Sequence, residues 1–137
     1  AYVIENEITY LAFPLPEAAM AILGSGYAVP VLQPLGWLTT LDVVYWGDID
    51  THGFAILDRL RLHFPRVRSI LMDRATLLGH RDQWVTESSQ TAAVLGRLDL
   101  AESALYADLI SDAYAPSVRL EQERVSFSAV EKAIASC

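Results

Sequence analysis

Two aspartates separated by one residue, Asp48 and Asp50, follow an apolar run in the stretch VVYWGDIDTHGFAIL (43–57). The Val, Tyr and Trp residues of that run favour a buried strand, and the residues after Gly53 have the pattern of an amphipathic helix. Like charges at the end of a buried strand repel each other, and a bound cation is the usual means of offsetting that repulsion. The pair therefore indicates a metal site.

A third carboxylate, Glu5, ends the apolar segment YVIE (2–5) and has no evident packing role there. Together with Asp48 and Asp50 it offers only oxygen ligands, which Mg²⁺ and Mn²⁺ prefer. Mg²⁺ usually keeps several waters and binds one or two carboxylates, which leaves room for a phosphate whose oxygen it polarises. Gly53 would let a backbone approach a substrate. The alternative, in which one aspartate caps a helix and the other is solvated, stays open at this point.

Strand-like and helix-like segments alternate along the chain. Strands are predicted at residues 2–5, 18–23, 42–47, 67–72 and 118–125. Helices are predicted at residues 7–13, 53–64, 74–84, 101–114 and 126–136, with a proline-interrupted helical connection over 27–41. Asp73 is the expected N-cap of the helix at 74–84, and Thr91 or Asp99 that of a later helix. The alternation predicts an α/β fold whose helices cover both faces of a parallel sheet.

The candidate carboxylates all follow predicted strands. Glu5, the GSG turn at 24–26 and the Asp48/Asp50 pair each come at the carboxyl end of one strand. In open parallel sheets, ligands bind at that end of the strands. Three separate parts of the sequence are therefore expected to meet at one edge of the sheet.

The composition excludes several classes of protein. The chain has 137 residues, 53% of them hydrophobic, and no apolar run approaches the ~20 residues that span a membrane. Cys137 is the only cysteine, so an internal disulfide and a thiolate metal site are both excluded, as suits a cytoplasmic protein. The net charge of −7 argues against strong sequence-independent DNA binding by this chain alone. We expect residues 1–137 to form one domain from the C-terminal part of a longer chain.

The chain resembles a Toprim domain in the stretches VIENEITYLAFP, GSGYAVPVL and VVYWGDIDTHGFAIL. That family carries a glutamate at the end of its first strand and an Asp-x-Asp at the end of a later one, in the same order as in the topoisomerase VI A subunit. The stretches YWGDIDTHGFAILDRLR, MDRATLLGHRDQW and LEQERVSF are similar to the C-terminal domain of the nuclease subunit of the Wadjet plasmid-defence system. The resemblance covers nearly the full length.

The resemblance implies a Rossmann-like Toprim fold of about four strands and a metal-dependent endonuclease that cleaves double-stranded DNA. Glu5 matches the family's glutamate, a general acid or base or a metal-associated group, and Asp48 and Asp50 match its Mg²⁺- or Mn²⁺-binding aspartates. The implied partners are double-stranded DNA, a second copy in a homodimer with one active site per strand, and a condensin-like SMC complex. No membrane partner is implied. A preceding DNA-binding region in the family would supply the positive charge that this chain lacks.

Three basic side chains are candidates for phosphate binding. His52 follows the aspartate pair and is expected either to contact a phosphate or an attacking water, or to be a polar residue in the first helical turn. Arg74 and Arg81 stand in a family-like stretch and are candidates to hold phosphate. The alternative for these arginines is an ion pair with Asp73 or Asp82.

Two further acids, Glu121 and Glu123, are candidates to enlarge the carboxylate cluster. They lie two residues apart in a predicted strand and are expected to share one face of it. That face either adds carboxylates to the site or is solvated.

Three rival functions remain open from the sequence. A nucleotide-sugar glycosyltransferase also uses Asp-x-Asp to bind metal, but this assignment leaves Glu5 unexplained. A phosphatase of the haloacid dehalogenase type has a small Thr or Val at the position of His52, which makes this assignment weaker. A non-catalytic Toprim-like dimerisation or DNA-sensing module would not need to retain all three acids.

Overall fold

Four parallel strands form the central sheet of the computed structural model, which describes residues 1–137. The strands are β1 (Tyr2–Ile4), β2 (Ala21–Leu23), β3 (Val44–Trp46) and β4 (Arg68–Ser69). Their order is β2-β1-β3-β4, so the chain winds outward from β1 to β2 and then returns to place β3 on the other side of β1. The predicted α/β fold with four parallel strands is confirmed, and it is consistent with a Rossmann-like Toprim fold.

This strand order places a topological switch point between β1 and β3. The connections leave these two neighbouring strands in opposite directions, which opens a crevice at their carboxyl ends. The register pairs Ile4 with both Leu23 and Trp46. The residues that follow β1, β2 and β3 therefore lie side by side at one edge of the sheet, as the sequence predicted.

Helices pack on both faces of the sheet. They are α1 (Glu7–Ala12), α2 (Ala28–Leu32), α3 (Thr51–His63), α4 (Arg74–Gly79), α5 (Leu100–Ile110) and α6 (Phe127–Ala135). The main core joins Val3 and Tyr45 of the sheet to Phe54 and Leu57 of α3 and to Leu105 of α5. A smaller cluster on alternate sheet residues is formed by Tyr2, Ile4 and Val44, against which Phe13 and Ile134 pack. The alternation of strand side chains thus supplies both faces with apolar contacts.

A second, two-stranded sheet departs from the prediction. β5 (Val85–Thr86) pairs antiparallel with β6 (Val118–Arg119), and an isolated bridge between Ile49 and Leu120 attaches this ribbon beyond the end of β3. The predicted strand at 118–125 is wrong after Arg119, because the buried Gln122 turns the chain into a 3-10 helix at Gln122–Arg124.

Several predicted boundaries also shift. The helix predicted at 74–84 ends at Gly79 and is followed by a 3-10 turn at Arg81–Gln83. The helical connection predicted over 27–41 is divided into α2 and a 3-10 turn at Gly36–Thr40. Asp73 and Asp99 are N-caps as predicted, whereas no helix begins at Thr91. None of the helices combines the length and the apolar character that crossing a membrane requires.

Candidate metal centre

An open cleft of ≈ 430 Å³ lies at the switch point and is strongly acidic. Six carboxylate side chains line it: Glu5, Asp48, Asp50, Glu87, Glu121 and Glu123. Arg119 is the only arginine or lysine among the lining residues, and His52 is the only histidine. The cleft therefore brings together the three predicted ligands, His52 and both additional glutamates.

Glu5 is held by the turn that follows β2. Its Oε2 accepts a hydrogen bond from the Gly26 N–H, whereas its buried Oε1 has no hydrogen-bond partner. Gly24 packs against this carboxylate so closely that a Cβ at that position would lie 2.6 Å from Oε2. Burial raises the pKa of Glu5 above its usual value; the bond from Gly26 and the nearby Tyr45 hydroxyl oppose this rise, and the charge of Asp48 adds to it. The GSG turn thus positions a carboxylate that holds a proton more readily than an exposed one.

Asp50 is both a helix cap and a member of the acidic cluster. It is 4% exposed, and its Oδ1 accepts a hydrogen bond from the Gly53 N–H at 2.6 Å, so it caps α3. Burial raises the pKa of Asp50 to about 6; the bond from Gly53 opposes this rise, and the charges of Glu87 and Asp48 add to it. The capping alternative is correct for Asp50, and it still leaves a buried carboxylate beside other acids.

Gly53 has a packing role that the sequence did not predict. A Cβ at this position would lie 2.1 Å from the backbone oxygen of Asp48, and 3.3 Å from Oδ1 of Asp50. Gly53 also lines the cleft, so the expectation that its backbone can approach a substrate stays a prediction. The glycine allows the start of α3 to pack against the backbone of the Asp-x-Asp turn.

Asp48 is bound to the segment around β6. Its Oδ2 lies 2.7 Å from Nη2 of Arg119, and its Oδ1 accepts a hydrogen bond of 2.7 Å from the Gln122 N–H. Nε of Arg119 lies 3.3 Å from Oδ2 of Asp50, without the geometry of a hydrogen bond. One guanidinium therefore bridges the two aspartates. Burial alone would lower the pKa of Arg119, but the attraction of Asp48 and Asp50 outweighs it and raises that pKa.

The buried Gln122 fixes the β6 segment to the sheet edge. Its Nε2 donates to the Trp46 carbonyl at 2.5 Å, and its Oε1 accepts from the Asn6 N–H at 2.8 Å. These bonds join the chain after β6 to the ends of β3 and β1. They also place Glu121 and Glu123, one on either side of Gln122, at the cleft. The two glutamates are thus at the cleft because of a 3-10 turn and not because of a shared strand face.

Glu87 is a buried acid that follows β5 and contacts the beginning of α3. Its Oε1 accepts a hydrogen bond of 2.7 Å from the Thr51 hydroxyl, and its Oε2 accepts one of 3.2 Å from the Thr51 N–H. His52 is exposed, lies 3.8 Å from Glu87, and has its Nε2 2.6 Å from the Ser89 carbonyl oxygen. Negative charge at a helix N-terminus is favourable, so Glu87 has a structural role as well as adding to the field of the cleft.

The residues of the cleft fit a hard divalent cation by their chemistry. The six carboxylates offer the oxygen ligands that Mg²⁺ and Mn²⁺ prefer, and His52 is the only imidazole beside them. Five buried side-chain polar atoms lack a hydrogen-bond partner in the chain, and three of them line this cleft: Glu5 Oε1, Tyr45 Oη and Arg119 Nε. Unpaired buried polar atoms are rare in folded proteins and concentrate at functional sites. Asp48 and Asp50 are the residues that would hold the ion, and Glu5 lies at the same cleft either as a third ligand or as a group that transfers protons.

The present side-chain arrangement is not that of a loaded site. No three His, Cys, Asp or Glu side chains are close enough together to hold a metal ion directly. The guanidinium of Arg119 instead contacts both aspartates. Binding of an ion would therefore require these side chains to move.

Comparison with known protein families supplies the identification. The model of one family, described as Wadjet protein JetD, C-terminal, matches residues 1–134. The chain belongs to this family. No curated protein matches the sequence significantly. Membership of the JetD C-terminal family implies a role in the Wadjet defence system.

Two predicted arginines of this JetD C-terminal domain lie outside the cleft. Arg74 binds Asp108 at 2.6 Å and the Tyr114 hydroxyl at 2.7 Å. The guanidinium of Arg81 lies 5.3 Å from the ring centroid of Trp84. The structure does not bring either arginine to the acidic cluster, and the partner of Arg74 is Asp108, not the expected Asp73 or Asp82.

The sequence pattern does not indicate Arg119 and Glu87 as residues of the site. Both belong to the β5–β6 ribbon of the JetD C-terminal domain, whose strands have only two residues each and show no periodicity. The available signal was weak: each residue stands at the end of a short run containing β-branched residues, WVTE and SVR. Only the pairing of Val85 with Arg119 brings them to one site.

Proposed function

We propose that this chain is the catalytic domain of a metal-dependent endonuclease that cleaves double-stranded DNA in Wadjet defence. The observation that carries the proposal is the acidic cleft at the switch point, with the unpaired Oε1 of Glu5 beside the Asp48/Asp50 pair. Membership of the JetD C-terminal family gives the biological setting. We further propose Mg²⁺ or Mn²⁺ as the cofactor, a homodimer as the active form, and a condensin-like SMC complex as the partner.

The charge of the cleft supports metal dependence. Six carboxylates and one arginine line a space that a DNA phosphate, itself negative, would have to approach. Phosphate is repelled by such a field unless positive charge is added to it. A divalent cation held by Asp48 and Asp50 would add that charge and stabilise the oxygens of the reacting phosphodiester.

Glu5 supplies proton transfer in this proposal. Its Oε1 is buried, unpaired, and at the same edge as the aspartates. Because burial raises its pKa, the carboxylate accepts a proton more readily than an exposed glutamate. The Glu5 carboxylate is thus the group expected to take a proton from an attacking water or to return one to the leaving oxygen.

One observation favours a second candidate, a non-catalytic dimerisation or DNA-sensing module. Arg119 bridges Asp48 and Asp50, as a structural ion pair would in a domain that no longer binds metal. The presence of Glu5 beside these aspartates argues against this candidate, because an ion pair between Arg119 and the aspartates does not need a further carboxylate.

Cleavage of closed circular plasmid in Mn²⁺ by the protein that carries this domain tests the proposal. Glu5→Gln is expected to lower the cleavage rate by roughly 10²-fold or more, since it removes the group that transfers the proton. Glu7→Gln is the matched control, because Glu7 is an exposed glutamate at the start of α1 outside the cleft, and it should cleave at the wild-type rate. Equal rates for both variants would favour the non-catalytic module.

A further inference from the structure

We infer that Arg119 is an internal counterion of the Asp48/Asp50 pair and that a divalent cation displaces its guanidinium from this pair. The displaced guanidinium then binds a phosphate of the DNA. This inference rests on the proposed function and adds to it a residue that exchanges one anionic partner for another. Arg119 would couple loading of the ion to binding of the substrate.

First, Arg119 contacts the carboxylate oxygens of Asp48 and Asp50 that would bind the ion. Nη2 contacts Oδ2 of Asp48 at 2.7 Å, and Nε lies 3.3 Å from Oδ2 of Asp50. The remaining carboxylate oxygens are already engaged by backbone, Oδ1 of Asp48 with the Gln122 N–H and Oδ1 of Asp50 with the Gly53 N–H. The oxygens facing the guanidinium are therefore the ones that an ion could take, and it cannot take them while Arg119 remains.

The second support is that the ion pair is incomplete and accessible. Nε of Arg119 is buried without a hydrogen-bond acceptor of good geometry. The side chain as a whole keeps a third of its surface exposed, at 33%. A guanidinium with an unsatisfied donor and an open path to solvent leaves its partners at lower cost than a fully bonded, buried one.

The third support is the shortage of positive charge. Arg119 is the only arginine or lysine that lines the cleft, and its planar fork of donors matches phosphate oxygens. Its backbone is fixed in β6, opposite Val85, so only the side chain has to move. Once the aspartates face an ion, a phosphate at that ion becomes the nearest anion available to the guanidinium.

Calorimetric titration of the chain with Mn²⁺ tests the displacement. Arg119→Gln removes the competing charge, so it is expected to bind Mn²⁺ roughly tenfold more tightly than the wild type. Arg74→Gln is the matched control: it breaks the Arg74–Asp108 ion pair on α4 and α5, outside the cleft, and should leave the Mn²⁺ affinity unchanged. Thermal denaturation of each variant shows whether it is folded, and Arg119→Lys, which keeps the charge, gives a second test with an expected affinity near that of the wild type.

The contact between Arg119 and a DNA phosphate is tested with a short DNA duplex. Binding of the duplex to the Mn²⁺-saturated protein is measured by fluorescence anisotropy at several salt concentrations. Arg119→Gln should bind the duplex more weakly, although it holds Mn²⁺ more tightly. The slope of the logarithm of the binding constant against the logarithm of the salt concentration should be smaller by about one, because one phosphate contact is lost. Unchanged duplex binding by Arg119→Gln overturns the proposed phosphate contact of Arg119.

The outcomes separate this inference from the proposed function. If Arg119→Gln binds Mn²⁺ no better than the wild type, while both bind it, the cleft is a metal site and the counterion role is overturned. If neither protein binds Mn²⁺, the metal-dependent function and the counterion role are overturned together.

Discussion

Single residues in the cleft carry charges that the fold alone would not favour. Asp50 is buried and its pKa is raised, mainly by loss of solvent, although the Gly53 N–H and Arg119 oppose that rise. Burying an ionised carboxylate costs free energy of folding unless a positive charge offsets it. Natural proteins keep such costs at functional sites, where the charge is used. The cost at Asp50 is thus better explained by ion binding than by helix capping alone, because an asparagine would cap equally well.

Substitution of Gly24 changes the position of Glu5 while keeping its carboxylate group. In Gly24→Ala the new Cβ would lie within 2.7 Å of the carboxylate, so the end of a flexible side chain must move. We expect plasmid cleavage to fall by roughly 10²-fold, with little loss of stability, because catalysis is sensitive to displacements of about 1 Å.

The matched control is Gly79→Ala, at the end of α4, where nothing lies within 4 Å of the new Cβ. Thermal denaturation should show both variants folded, with Gly79→Ala as active as the wild type. Full activity of Gly24→Ala would remove Glu5 from the reaction.

The elements show which part of the site could be predicted from the sequence. Glu5, Asp48 and Asp50 follow strands of one parallel sheet, and parallel strands share the edge at which their carboxyl ends meet. Their convergence therefore followed from recognising the strands. Arg119 and Glu87 could not be predicted, because they depend on an antiparallel pairing of residues far apart in sequence. The same limit applies to Gln122, whose alternating neighbours resembled a strand while its own amide was bound to Trp46 and Asn6.

Glu102 gives a prediction at the scale of elements, because it joins α3, β4 and α5. It binds Arg61 through both carboxylate oxygens, accepts from the Ser69 hydroxyl at 2.6 Å, and completes the capping box of Asp99. Burial alone would raise its pKa, but the hydrogen bonds from Arg61, Ser69 and Asp99 outweigh it and lower the pKa. A pKa lowered by folding means that Glu102 stabilises the fold above its unfolded-state pKa, and that this contribution is lost as the pH falls through the folded value.

Glu102→Gln is therefore expected to reduce the free energy of unfolding by about 3 kcal/mol at neutral pH, since it leaves Arg61, whose side chain is only 11% exposed, without its charged partner. The difference from the wild type should shrink as the pH falls below 4.5, where the unfolded-state carboxyl also takes up a proton. Urea unfolding at neutral and acid pH measures both values. Glu131→Gln, on the exposed side of α6, is the control and should change stability by less than about 0.5 kcal/mol. A pH-independent difference for Glu102→Gln would contradict this account.

At the scale of the whole molecule, charge separates recognition from chemistry. The net charge is −7, and the switch-point cleft concentrates six of the acids. Affinity for DNA comes mainly from neutralising phosphates with basic side chains, which this chain cannot do on a large scale. We therefore propose that other parts of a Wadjet assembly deliver the DNA, and that this domain contributes the ion and the groups that transfer protons.

Binding of a divalent cation by the Asp48/Asp50 pair is tested by calorimetric titration of the chain with Mn²⁺. The double variant Asp48→Asn, Asp50→Asn keeps the cap of α3 while removing both charges. Asp42→Asn, Asp82→Asn removes the same charge from two exposed positions outside the cleft. We predict that the wild type and the control variant bind Mn²⁺ alike, and that the cleft variant binds it at least roughly tenfold more weakly. Equal Mn²⁺ affinity in all three proteins would contradict the assignment of the pair as a metal site.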